Sequence, residues 1–408
     1  MELLQTLPEE YVKAYIICNS LLNRSNILIF DKGSSFIKKY WRVLFILPWA
    51  TSFYLAITVY SLRNLSGEVQ FFDLANSLPV FLVATQGAIK AVFLLSKKKN
   101  IQDIITRLGN MWRINDLTDE QNQAKYARLH TLHRFHKAFY WINIIGSIQY
   151  MMVPFLETLF RKFILNQECE LLLPFLCSLP FDPPVSWFSY VINYIFQSYG
   201  MFLLIFVYLG AEFLLIAFCA LISVQFLLLQ EDLTRIQPET ANEGIKQTTR
   251  HEFGNKMNIN IFIEKHSDLL ILCKDLDEIY NKIIFLNLLF ATLIICFFGF
   301  VAKFARGPMD MMNNFIGVFA SILPIFNLCY YGEMISETSL GIAYSAYKNQ
   351  WYNGDKNYKK KIYFVMKRSQ KACYLTSMKY TNITLTAFTT VISTTWSYFS
   401  LVTQLYEE

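Results

Sequence analysis

Seven stretches of this chain are apolar, poor in charge and about 20 residues long or longer. They lie near 41–62, 73–96, 138–160, 187–217, 281–302, 313–335 and 379–404. A helix of roughly 20 residues crosses a ~30 Å hydrocarbon core. In lipid a segment must satisfy its own backbone donors and acceptors, which a helix does. This one feature restricts the chain to an all-α membrane protein with seven transmembrane helices. The composition agrees, with 54% hydrophobic and 17% charged residues, where a soluble domain carries about 25% charged. Pro48, Pro79, Pro154 and Pro324 fall inside the spans, where neighbouring helices compensate for such kinks.

The basic residues orient the spans. Of 37 Lys and Arg, 29 lie before the first span or after the second, fourth and sixth. Five lie on the other side, namely Arg63, Arg161, Lys162, Lys303 and Arg306. Short loops rich in Lys and Arg stay in the cytosol. The amino terminus is therefore expected in the cytosol and the carboxy terminus outside. That orientation is opposite to a G-protein-coupled receptor, and no DRY-like or NPxxY-like motif is found. The net charge of +6 reflects this placement and does not call for nucleic acid. The first 35 residues lack the basic-apolar-small progression of a cleavable signal peptide.

The eight cysteines form no C-x-x-C pair, and the five histidines lie at no ligand spacing with them. No metal or cofactor is expected, and no embedded acid or histidine cluster points to an enzyme. Asn64-Leu65-Ser66 is a glycosylation sequon in the first outer loop. Cys169 and Cys177 share the second outer loop, as a disulfide or as two free thiols.

Several spans outlast the membrane. As one helix, Phe188–Gln230 is about 64 Å long at ~1.5 Å per residue. Its inner half, with Phe226, Leu227, Leu228 and Leu229, needs a protein partner. Residues 231–280 read as a mixed-charge amphipathic helix leading into the fifth span. Within 356–380, Ile362, Val365, Met366 and Cys373 fall on one face, and Lys359, Lys360, Lys361, Lys367, Arg368 and Lys371 lie mostly around the other. Such a helix lies on anionic lipid or joins a cytosolic bundle. The bundle is preferred, because several spans carry apolar extensions at once. The chain thus divides into a cytosolic or interfacial segment (1–40), helices 1–4 with a long extension (41–230), and a cytosolic loop and anchor helix (231–280). Helices 5–6 (281–340), cytosolic anchor helices (341–378) and a last helix with an outer tail (379–408) complete it.

The carboxy-terminal third carries specific strings. They are EMISETS from Glu333, AYSAYKNQWYN at 343–353, IYFVMKRSQKACYLTSMKY at 362–380 and SYFSLVTQL at 397–405. Together they resemble the insect odorant receptors. One departure is Ala372, where many members have Pro. The resemblance implies a subunit of an odorant-gated, poorly selective cation channel in the plasma membrane of olfactory sensory neurons. It implies a tetramer formed with a shared co-receptor, whose own intracellular loop is longer than the one here. An insect gustatory receptor is the nearest alternative.

Between Thr381 and Thr403, 11 of 23 residues are Ser or Thr. At 100° per residue, Thr386, Thr390, Ser393, Thr394, Ser397, Leu401, Gln404 and Leu405 share one 120° arc. Hydroxyls in membrane helices often serve close packing. With the resemblance, Thr390, Ser393, Thr394 and Ser397 are expected to line a pore. Leu401, Gln404 and Leu405 match the family's gate, where a ring of leucines closes a passage by dewetting. The family holds odorants in the outer half between spans 2, 3, 4 and 6. Depth and side-chain type there single out Leu78, Phe81, Leu82, Tyr150, Met151, Pro154, Tyr194, Ser198, Met201, Phe315, Phe319 and Ile322. Such a wall suits a small, mostly apolar volatile with one polar group.

Overall fold

The computed structural model describes residues 4–31, 43–63, 71–165, 171–175, 187–238, 257–305 and 307–407. Asn64, Cys169 and Cys177 lie outside the described residues. Long helices dominate: α1 (Glu9–Lys13), α2 (Ile16–Arg24), α3 (Val43–Arg63), α4 (Phe71–Ser96), α5 (Lys98–Asn110), α6 (Asp119–Leu159), α7 (Trp187–Arg235), α8 (Ile259–Lys303), α9 (Pro308–Lys348), α10 (Lys356–Ser369) and α11 (Leu385–Glu407). Segments within α4, α6 with its π-helical end (Phe160–Ile164), α7, α8 and α9 are long and apolar enough to cross a membrane. At 21 and 23 residues, α3 and α11 have the length as well, about 31 and 34 Å.

Local chemistry sets the helix starts. Thr118 and Gln121 form a capping box on α6, with the Gln121 amide donating to Thr118 Oγ1 at 3.3 Å and the Thr118 amide to Gln121 Oε1 at 3.1 Å. Asp119 and Glu120 follow in the first turn, where the helix dipole favours acids. Asp355 caps α10 by accepting from the Tyr358 amide at 2.6 Å. Pro308 starts α9, where a missing N–H does no harm.

The core is built around α7. Helices α2, α3, α4, α6, α8 and α9 all pack on it, and from Leu203 to Leu229 nearly every side chain is buried. Phe226, Leu228 and Leu229 find their cover within the chain. Residues 4–31 are not peripheral. Tyr11, Tyr15 and Leu22 are fully buried, Tyr11 donates to the Ile105 carbonyl at 2.8 Å, and Tyr15 meets Phe30 and Phe218 edge-on or tilted.

The basic helix α10 buries Tyr358, Ile362 and Val365 against protein, packing on α9 and α8. Tyr358 donates to Asn349 Oδ1 at 2.8 Å, and Asn349 donates to the carbonyls of Leu233 and Ile236, each at 2.8 Å. Its lysines Lys359 and Lys360 point to solvent.

The last apolar stretch does not begin its helix at 379. Residues 376–382 fold as a small hairpin, with Thr376 opposite Asn382 and Ser377 opposite Thr381. Met378 and Lys379 take left-handed backbone angles in its turn (φ 51° and 62°), a conformation that disfavours helix propagation. The hairpin is fixed to α8, because the amide and hydroxyl of Thr376 both donate to Asp277 Oδ1, at 2.6 and 2.8 Å. Hydropathy alone cannot see this turn, since its residues are not charged enough to end an apolar block.

Candidate functional site: an apolar cavity and an exposed helix face

One cavity of about 320 Å³ lies between α4, α6, α7, α8 and α9, with Phe175 also in its wall. This is the low end of the range for small-molecule sites. Its walls are mainly Val80, Val83, Ile142, Ile205, Ile294, Phe298, Ile316 and Leu323, with Gln86, Asn143, Ser147, Tyr150, Tyr208 and Ser321 as polar points. A second, more polar chamber of about 250 Å³ adjoins it. The two share Val80, Tyr150 and Phe175, and the second adds Asn76, Glu157, Asp310, Asn313 and Asn314.

Four of the residues expected from the sequence line the first cavity: Tyr150, Met151, Met201 and Phe319. Pro154 lines the second. The other seven line neither. Tyr194 and Ser198 sit behind Met151, Tyr194 donating to its carbonyl and Ser198 reaching its sulfur at 3.7 Å. Leu82 is buried against Ile294 and Phe298, and Phe81 stacks on Tyr54 at 6.1 Å. Ile322 packs into the main core, Leu78 is half-buried, and Phe315 is exposed on the outside of α9.

The physical reason is helical phase. Depth fixes the height of a residue and not its face. On α4 the cavity takes Val80, Val83 and Gln86; on α7, Met201, Ile205 and Tyr208; on α9, Ile316, Phe319, Ala320 and Leu323. Each set follows the three- or four-residue spacing of one helix face. The wall from α8, with Ala291, Ile294 and Phe298, had no signal, because the resemblance placed ligands between other spans.

Below Gln86 runs a buried polar chain. Lys90 and Glu212 form an ion pair with both side chains almost fully buried. Asn287 donates to the same carboxylate oxygen at 2.8 Å, and Gln86 donates to Asn287 Oδ1. The Lys90 ammonium also lies 3.6 Å from the ring centre of Tyr208. Charges this deep are costly unless paired.

Helix α11 packs on α8 and α9 through one face. Ala387, Thr395 and Thr403 are buried, Phe388 meets Phe326 edge-on at 5.5 Å, and Tyr406 packs on Phe300 and Phe304 at 5.2 and 4.8 Å. The opposite face is bare. Thr386, Thr390, Ser393, Thr394, Ser397, Leu401, Gln404 and Leu405 are all exposed in the single chain. Thr390, Thr394 and Ser397 donate to the carbonyls four residues back, at 3.0, 2.8 and 3.2 Å. Their hydrogens are thus engaged along the helix, leaving oxygen lone pairs on the bare face. Glu407 pairs with Lys303 at 2.7 Å on the exposed surface; Glu408 lies outside the described residues.

The entry to α11 is clamped by α9. Glu333 accepts from the Leu385 amide at 3.0 Å, placing a carboxylate at the positive end of the helix. At the preceding residue, a Cβ on Gly332 would lie 2.6 Å from the Ile383 carbonyl oxygen, so only glycine permits this approach. Glu333 opens one of the strings that carried the resemblance; its structural duty there was not readable from sequence.

A bundle of helices this long and apolar is that of a multi-pass membrane protein. Residues 70–396 match the family model described as 7tm odorant receptor, and the chain belongs to that family. Among curated relatives, odorant receptor 85c of Drosophila melanogaster is 23% identical over 374 residues, covering 88% of this chain and 91% of the relative. Odorant receptor 13a of the same fly is 25% identical over 272 residues, covering 64% and 63%. Among solved structures, the olfactory receptor OR5 of Machilis hrabei superposes with a TM-score of 0.77 at 13% identity, over 96% of this chain and 99% of that one. The same receptor in complex with eugenol gives 0.76 at 12% identity. Family membership places the chain among receptors and not among enzymes, and with the individually named odorant receptors rather than with the shared co-receptor.

Proposed function

We propose that this chain is the ligand-binding subunit of an odorant-gated, poorly selective cation channel. It pairs with the shared co-receptor in a tetramer in the plasma membrane of olfactory sensory neurons. The observation that carries this is the apolar cavity inside a bundle of the odorant receptor family. All seven long helices cross the membrane, with the amino terminus in the cytosol and the carboxy terminus outside, following the distribution of Lys and Arg. The lower part of α7, the start of α8, the end of α9 and α10 form the cytosolic anchor that meets neighbouring subunits.

The cavity takes a small, mostly apolar volatile. A ligand of about 12 heavy atoms at roughly 0.5 kcal/mol each binds with about 6 kcal/mol, in the tens of micromolar. The bare face of α11 lines the pore with Thr390, Ser393, Thr394 and Ser397, and Leu401, Gln404 and Leu405 form the gate. Uncharged hydroxyl oxygens suit cations without selecting strongly among them. Ligand opens the pore to the extent that it binds the open arrangement more tightly. The linkage runs through α8, which lines the cavity at Ile294 and Phe298 and packs on α11.

The test is co-expression with a co-receptor in a heterologous cell and measurement of current across a panel of volatiles. A dose-dependent current supports the proposal. No current from any volatile, with both subunits at the surface, contradicts it.

A further inference from the structure

We infer that Gln86 is a specificity-determining residue of the cavity: its side-chain carbonyl accepts a hydrogen bond from the ligand, so the receptor favours volatiles carrying a hydroxyl donor, alcohols or phenols. This rests on the odorant-binding role of the cavity and adds the chemical class of its ligand.

The direction of the buried polar chain fixes the amide. Lys90 can only donate, and the Glu212 carboxylate can only accept. Asn287 bonds the same carboxylate and must turn its NH₂ toward it, at 2.8 Å. Its Oδ1 is then left for Gln86, which must in turn present its own NH₂. An amide in isolation can be flipped without penalty, but this one is set by a charge two residues away along the chain. What remains is Gln86 Oε1. It has no partner among the described residues, and it is not among the buried side-chain atoms sealed off without one. The residue itself is 4% exposed and lines the cavity, so this oxygen opens to the cavity.

The other polar points are more exposed. Asn143, Ser147 and Ser321 donate to the carbonyls of Phe139, Asn143 and Gly317, at 2.8, 2.6 and 2.8 Å, which leaves each an acceptor oxygen, but all three are only half-buried. The hydroxyls of Tyr150 and Tyr208 both donate and accept, and therefore do not discriminate. Gln86 is the deeply buried acceptor among them, oriented by the Glu212 charge through Asn287, and burial is where an unmatched partner is penalised most.

The experiment uses the full-length chain with its co-receptor and two matched pairs, octanol with methyl octyl ether and eugenol with its methyl ether. Each pair differs by the replacement of one hydroxyl hydrogen by methyl. The wild type is expected to respond to the alcohol or phenol at roughly five- to tenfold lower concentration than to the ether, the effect of one neutral hydrogen bond. Gln86→Leu should bring that ratio close to one while responses to the ethers persist. Asn287→Leu, which leaves Gln86 in place but removes what orients it, should narrow the ratio as well. Equal potency of both members of each pair in the wild type overturns the inference without any variant, as does an unchanged ratio in Gln86→Leu. Silence toward these four compounds with current from other volatiles also overturns it. Silence toward every volatile instead overturns the odorant-binding role on which it rests.

Discussion

Helices α7 and α11 are both long and apolar, and the chain treats them in opposite ways. Of the 49 residues of α7, 31 are buried, whereas α11 buries three of 23. Helix α7 is finished by its own chain: Leu22, Phe139, Tyr280 and Tyr331 belong to the same buried core. Helix α11 is finished on one side only, by Phe326, Phe300 and Phe304. Its bare side carries hydroxyls, then Leu401, Gln404 and Leu405. The difference separates a helix that makes the fold from one that leaves a whole face uncovered by its own chain.

The sharpest way to break this contrast is to make similar truncations on both helices. Phe218→Ala in α7 removes a ring that is fully buried, and should cost about 3–5 kcal/mol. The loss should appear as a lower melting temperature in detergent and reduced surface delivery. Leu401→Ala or Leu405→Ala on the bare face of α11 should leave both unchanged and instead raise leak current without ligand. Equal stability losses on the two helices would erase the distinction.

Glu212→Gln comes next. It strips the charge from the partner of Lys90 deep in the bundle, and breaking such a pair costs about 3–5 kcal/mol at most. Lys90→Met combined with Glu212→Leu should recover much of that stability, because removing both charges also removes the need for pairing. A double variant as unstable as the single would show that the pair is not the cause.

Smaller effects belong to the join between the two regions. Glu333→Ala deletes the carboxylate that accepts from the first amide of α11, a loss of about 1 kcal/mol for a helix cap. The account predicts a shift of roughly fivefold in ligand sensitivity at unchanged surface level. Glu333→Gln should restore part of it, since the amide oxygen still accepts. Smallest of all is Lys303→Ala. Its pair with Glu407 is half exposed and is worth at most ~1 kcal/mol, so gating and stability should barely move.

The sequence showed where the long helices lie more clearly than which way they face. The apolar run Phe188–Gln230 announced α7 because as one helix it outlasts the membrane, and the arc of hydroxyls announced an unusual α11. Three kinds of feature stayed hidden. The turn at Met378 and Lys379 uses left-handed backbone angles on ordinary residues, which no turn signal marks. The docking of Tyr11 and Tyr15 depends on α5 and α7, both distant in sequence. In the cavity, Val80, Ile205 and Ile294 look like routine packing residues until the phase of each helix is known. Tyr150, Met151, Met201 and Phe319 were legible because depth and phase happened to coincide there.

The central claim is that the bare face of α11 lines a passage opened by ligand. Cysteine substitution along α11, with a charged thiol reagent applied during odorant-evoked current, tests it most directly. The account predicts rapid, irreversible block at Thr390, Ser393, Thr394 and Ser397, and none at Ala387, Val391, Thr395 or Phe399. Modification with no helical period, or block confined to the packed face, would contradict it.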